Sequence, residues 1–139
     1  MQPIMTVAEL AAFFVEAFPG VATGRHAGIV EIAPGRARLQ LVPDDSSLRP
    51  GGIVSGPTQM GLVDRAAYAV ILAHIGPVAM AVTSNLNISF LRAVEYAPVM
   101  ADAELIKLGK RLATVDVRLW QEDPARILAQ ATVTYAIPG

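Results

Sequence analysis

The sequence predicts an α+β fold in which one long helix is buried inside a curled antiparallel sheet. Three observations carry this expectation. Ser55 to Pro77 (SGPTQMGLVDRAAYAVILAHIGP) reads as a single helix that is apolar on nearly every side, and a helix of that kind must be covered all round. After it the chain alternates apolar and polar residues in successive short runs separated by turns, the mark of consecutive antiparallel strands. Finally, 53% of the 139 residues are hydrophobic and only 17% are charged, enough for one substantial core, with apolar surface left over for self-association.

The elements follow in order. Thr6 starts a short helix, and Glu9 three residues later completes a capping-box pattern. Val7, Leu10, Ala11, Phe14 and Phe18 recur at helical spacing until Pro19-Gly20 stops it, so residues 1–20 form an N-terminal helical segment. An amphipathic helix packed on the sheet is expected there, with a lid as the functional alternative. Residues 28–33 and 36–42 are two strands around a Pro34-Gly35 turn, and Arg36, Arg38 and Gln40 alternate with Ala37, Leu39 and Leu41. Residues 43–52 (PDDSSLRPGG) are a polar loop that leads into the central helix. Ser55 is its N-cap, Pro57 suits its first turn, and Gly76-Pro77 ends it. Extended structure is expected over 78–91, 99–108, 112–120 and 126–137, with breaks at 93–98, 109–110 and 122–125. Ala101, Ala103 and Leu105 share one face of their strand, with Lys107 assigned to the same face. Residues 1–139 are thus expected to form a single domain.

Several function classes recede. The net charge is −1, so no nucleic-acid footprint is expected. There is no cysteine, which removes disulfides, thiol catalysis and Cys-based metal sites. His26 and His74 are too few and too isolated for a His-rich metal centre. Residues 66–82 are the most membrane-like run, but they are shorter than a span and are interrupted by His74, Gly76 and Pro77. The N-terminus lacks the basic start of a signal peptide. A soluble, cytoplasmic protein is expected, with no membrane partner.

One residue does not fit a purely structural helix. Asp64 lies inside the apolar run, and a buried carboxylate is costly unless it is paired or hydrogen-bonded. Arg65 is adjacent on the helix and therefore a poor partner. Asp64 is either a structural acid or the reactive group of a site.

The motifs around Asp64 resemble those of the phenylacetate-degradation-type (PaaI-like) acyl-CoA thioesterases of the hotdog fold. The family's His-Gly-Gly, followed seven residues later by Asp, aligns on Ser55, Gly56, Pro57 and Asp64. TSNLNISFLR resembles its hydroxyl-bearing strand, LGKRLATVDVRL its Gly-Lys/Arg turn and next strand, and ILAQATVTYAI its last strand. The resemblance covers about residues 28–137. It implies a hotdog fold, hydrolysis of an acyl-CoA thioester to a carboxylate and free CoA, and side-by-side subunits in a homodimer that extends to a homotetramer, with sites at the dimer interface. CoA is part of the substrate, and no metal or other cofactor is implied.

The resemblance also assigns roles. Asp64 becomes the general base or nucleophile, the Gly56 N–H the oxyanion donor, and Thr83 the hydroxyl that helps hold the attacking water. Arg49 stands where relatives often have a substrate-contacting Asn. Arg92, Lys110 and Arg111 are candidates for the CoA phosphates, and Tyr68 for the acyl pocket. Each also has a structural reading: Thr83 as an ordinary strand residue, the basic residues as solvated turn positions, Tyr68 as core. Ser55 for His and Pro57 for Gly depart from the family pattern, so Ser55 is read first as an N-cap. The departures also keep a second function open, a non-catalytic acyl-CoA or small-ligand binding protein. A hotdog dehydratase ranks last, because neither histidine is well placed. His74 is expected to complement the helix dipole.

Overall fold

A computed structural model describes residues 1–19 and 27–139. Gly20, expected to close the first helix, and His26 lie outside the described residues. The elements are α1 (Val7–Ala17), β1 (Gly28–Ala33), β2 (Arg36–Leu41), a single 3-10 turn (Asp45–Ser47), β3 (Leu48–Arg49), β4 (Ile53–Val54), α2 (Gly56–Ile75), β5 (Val82–Phe90), β6 (Val99–Leu108), β7 (Leu112–Trp120) and β8 (Ala129–Ala136). The six long strands form one sheet in the order β1-β2-β6-β7-β8-β5, every neighbouring pair antiparallel. The sheet curls around α2, as expected of a hotdog fold.

The helix can sit close to the sheet because both contact faces are built from small residues. Ala66, Ala67, Ala69 and Ala73 of α2 are fully buried, as are Ala101, Ala113, Ala129 and Ala131 of the sheet, with Leu39, Val115, Val117, Leu119 and Val133 filling between them. Each fully buried branched side chain contributes about 1.5–3 kcal/mol relative to exposure. The caps match the sequence. Thr6 Oγ1 accepts from the Glu9 N–H while Glu9 Oε1 accepts from the Thr6 N–H. Ser55 Oγ accepts from the Thr58 N–H at 3.3 Å, with Pro57 in the first turn of α2.

Four expectations are corrected. The strand expected from residue 78 begins at Val82, because the chain leaves α2 through Gly76 at φ 97° and turns again where the Ala81 N–H donates to the Val78 carbonyl. The strand expected from residue 126 begins at Ala129; just before it, the Leu128 carbonyl accepts from the Leu91 and Arg92 N–H groups. Lys107 is not on the face of Leu105, since a register shift between them turns Lys107 outward opposite Thr114. His74, expected to complement the helix dipole, acts as a clasp: its Nδ1 lies 2.8 Å from the Val70 carbonyl and its Nε2 accepts from the Gly35 N–H at 2.9 Å, tying the β1–β2 turn to α2.

The helix is not covered all round. Met60 (42% exposed) and Gly61 lie open on α2, beside Phe90 (50% exposed) on the edge strand β5. Leu86 and Ile88 of β5, on the same side of the strand as Phe90, are only half-buried. Among the described residues this is an apolar stripe flanked by an unpaired strand edge. Helix α1 covers another flank, where Phe14 stacks on Tyr68 at 5.8 Å between ring centroids.

Candidate active site

Asp64 sits where α2 passes the start of β5 and the end of β8. Alternation along β8 puts Tyr135 on the helix-facing side with Val133 and Ala131, and a register shift between Thr83 and Asn85 of β5 brings Thr83, its cross-strand partner, to the same side. Both hydroxyls converge on one oxygen of the acid. Thr83 Oγ1 donates to Asp64 Oδ1 at 2.6 Å, and the Tyr135 hydroxyl donates to the same Oδ1 at 2.7 Å. The Tyr135 hydroxyl also lies 3.2 Å from the Asp64 backbone carbonyl. The carboxylate is thus half-buried and hydrogen-bonded, which answers the cost of placing an acid in an apolar helix. Tyr135 itself is 3% exposed. Burial first, and then its bond to Asp64, push its phenol well above the ordinary 10.0, so it remains a donor at neutral pH.

These three residues open on a cleft of about 360 Å³ that is also lined by Tyr68, Phe18, Gly61, Arg65, Ala79, Ala81 and Val82. Tyr68 is held by a hydrogen bond from its hydroxyl to the Ala79 carbonyl at 3.1 Å, and its ring is tilted against Tyr135 at 5.8 Å. Arg65 lies over the Phe18 ring at 4.0 Å and the Phe14 ring at 5.4 Å. Burial lowers the pKa of its guanidinium, opposed by the nearby Tyr135 and Asp64. The cleft therefore joins one ionisable acid to a wall of small apolar residues and three aromatic rings, Phe18, Tyr68 and Tyr135.

The other expected residues fall into two places. Lys110 and Arg111 form the β6–β7 turn. Leu112, Ala136 and Val82 are aligned across three strands, so this turn lies at the same end of the sheet as Thr83. Ser55, Gly56 and Pro57 lie at the opposite end, where a Cβ added to Gly56 would stand 3.4 Å from Phe90 Cζ. Arg92 follows Phe90, and its Nη1 donates to the Ile127 carbonyl at 2.9 Å, a structural tie. Arg49 is exposed in the β3–β4 hairpin, with its Nε 3.3 Å from the Pro50 carbonyl. Asp64, Thr83 and Tyr68 are thus brought together, whereas Gly56 is eight residues up the helix from Asp64, about 12 Å at 1.5 Å per residue. No group of His, Asp and Glu suited to a metal occurs among the described residues.

Sequence reasoning missed Tyr135 as a site residue, although its alternation with Ala131 and Val133 already placed it on the helix-facing side. It also missed Phe90 as the neighbour of Gly56.

The chain is similar to several known proteins. A Saccharolobus solfataricus protein provisionally named an esterase is 30% identical over 108 residues, 77% of this chain and 70% of its own. A Thermoplasma acidophilum protein, also provisionally named an esterase, is 28% identical over 86 residues, covering 62% of this chain and 64% of the relative's length. A solved structure from Silicibacter sp. TM1040, provisionally named a thioesterase, superimposes with a TM-score of 0.89 at 36% identity, covering 100% of this chain and 96% of the other. A phenylacetic acid degradation-related protein from Ralstonia eutropha shares the fold at 23% identity and a TM-score of 0.76, over 90% of this chain and 98% of its own. So does a Streptococcus mutans protein solved bound to acetyl CoA, at 21% identity and 0.73, over 86% and 94%. Residues 51–128, which hold α2 with its acid and the strands β5 to β7, match the family described as the thioesterase superfamily, and the chain belongs to it.

Proposed function

We propose that the protein is an acyl-CoA thioesterase whose base or nucleophile is Asp64. The observation that carries this reading is an acid set in an apolar helix, held by two hydroxyls, and opening on a cleft walled in part by Phe18, Tyr68 and Tyr135. Water adds to the thioester carbonyl as Asp64 takes its proton. The carbonyl oxygen becomes an oxyanion, the C–S bond breaks, and the CoA sulfur leaves as the thiol after receiving a proton. Thr83 donates to Asp64 and keeps its own lone pairs for the attacking water. The CoA-bound relative from Streptococcus mutans supports CoA as the carrier. The reading requires no metal or redox cofactor.

The oxyanion donor is the N–H of Gly56, one of the first helix N–H groups, which have no intrahelical partner. The 12 Å separation means that Gly56 and Asp64 of one chain cannot serve the same carbonyl. A second copy that adds antiparallel along the β5 edge would bring its Phe90 end, and Gly56 with it, to the Asp64 of the first chain. The same contact would cover Met60, Gly61 and Phe90. We therefore read the working unit as a homodimer with sites shared between subunits, extending to a homotetramer, in the cytoplasm. Lys110 and Arg111 of one subunit and Arg49 and Arg92 of the other then flank each site as candidates for the CoA phosphates. No helix of the described residues is long and apolar enough to cross a membrane.

The test is thiol release from phenylacetyl-, benzoyl- and short to medium aliphatic CoA thioesters, with wild type beside Asp64→Asn. Saturable release that falls at least 1,000-fold in the variant is expected. No release from any ester, with CoA esters still raising the melting temperature, would favour the binding-protein reading that Ser55 and Pro57 motivate.

A further inference from the structure

The two oxygens of Asp64 are not equivalent. Oδ1 receives the Thr83 hydroxyl at 2.6 Å and the Tyr135 hydroxyl at 2.7 Å, and no described hydrogen bond uses Oδ2. The two donors come from adjacent strands, β5 and β8, and fix the carboxylate from two directions. Tyr135 is itself immobilised: its ring is buried beside Tyr68, Tyr68 stacks on Phe14 of α1, and its hydroxyl also reaches the Asp64 carbonyl. A phenol buried in a ring stack is a more exacting anchor than a threonine hydroxyl on an exposed edge strand.

We propose that Tyr135 is a positioning residue: with Thr83 it pins Oδ1 of Asp64 and so assigns Oδ2 as the oxygen that meets water or the thioester carbonyl. This rests on Asp64 being the acid of the site. A reactive carboxylate needs one oxygen held so that the other has a single approach direction, since small misplacements of a reacting atom cost large factors in rate. It also gives the aromatic run from α1 to β8 a function, because Phe14 and Tyr68 set the plane of the ring that holds the acid.

Tyr135→Phe keeps the ring and removes only the hydroxyl, and two readouts test the role. In a crystal structure of the variant, the Asp64 carboxylate is expected to rotate away from its present orientation. A carboxylate left in place would overturn the inference, whether or not the protein turns over a thioester. In kinetics, kcat should fall about 10- to 100-fold with KM changed less than about threefold. A variant with wild-type kcat, or one whose loss lies wholly in KM, would also overturn it. A wild-type protein inactive on every thioester, with the carboxylate nonetheless rotated in the variant, would remove the role of Asp64 as base and leave Tyr135 as its anchor.

Discussion

Gly56 offers a clean residue-scale test, because its one proposed contribution is a backbone N–H. Its φ is not positive, and its position at the start of α2 tolerates proline. Ser55 before it is extended, at φ −70° and ψ 157°, the conformation a residue preceding proline prefers. Gly56→Pro should lose the donor and lower kcat about 100-fold or more, with circular dichroism and the melting temperature checking that a proline before Pro57, disfavoured in helical conformation, leaves the fold intact. Gly56→Ala keeps the N–H, and its Cβ meets Phe90 only at van der Waals distance, so it should stay within a few-fold of wild type. Equal activity in both variants would refute Gly56 as the oxyanion donor. At this scale the sequence was informative about identity and poor about company. An acid in an apolar helix stands out by its cost. That Thr83 and Tyr135, fifty-two positions apart, share its Oδ1 depends on the pairing of β5 with β8, which no local pattern encodes.

Among the elements, α2 and the hairpin of β1 and β2 were legible because each carries its own stop signals and periodicity. The two-residue strands β3 and β4 were not, since two residues have no period to read. Strand β6 was read correctly up to its bulge at Ile106, where one extra residue reverses the faces that follow. The clasp between α2 and the β1–β2 turn was equally invisible, because the partner of His74 is a backbone N–H thirty-nine residues away. His74→Ala should leave the Gly35 N–H without its acceptor and lower stability by about 1–3 kcal/mol in urea unfolding. Its kcat should be unaffected, because Asp64 is ten residues away along α2, about 15 Å. Unchanged stability would show that the turn finds another partner at no cost.

For the whole molecule, the proposed dimer rests on the sheet order and the exposed stripe. Composition predicts apolar surface left over, and part of it, Met60 and Phe90, lies together along β5 and the adjacent face of α2. Shared sites predict complementation. Asp64→Asn and Gly56→Pro should each be nearly inactive alone, but a mixed dimer of the proposed kind contains one site with both groups intact. Subunits exchanged from an equal mixture should recover about a quarter of wild-type activity. Sites complete within one chain would recover none.

The two helical turns between Gly56 and Asp64 also reach into the cell's arithmetic. If neither copy holds a whole site, a freshly made chain has no activity until it meets another. When the protein is scarce, output then rises with the square of the amount synthesised rather than in proportion to it. A modest change in expression would act as a threshold, set by the strength of the β5 contact rather than by any residue that touches substrate.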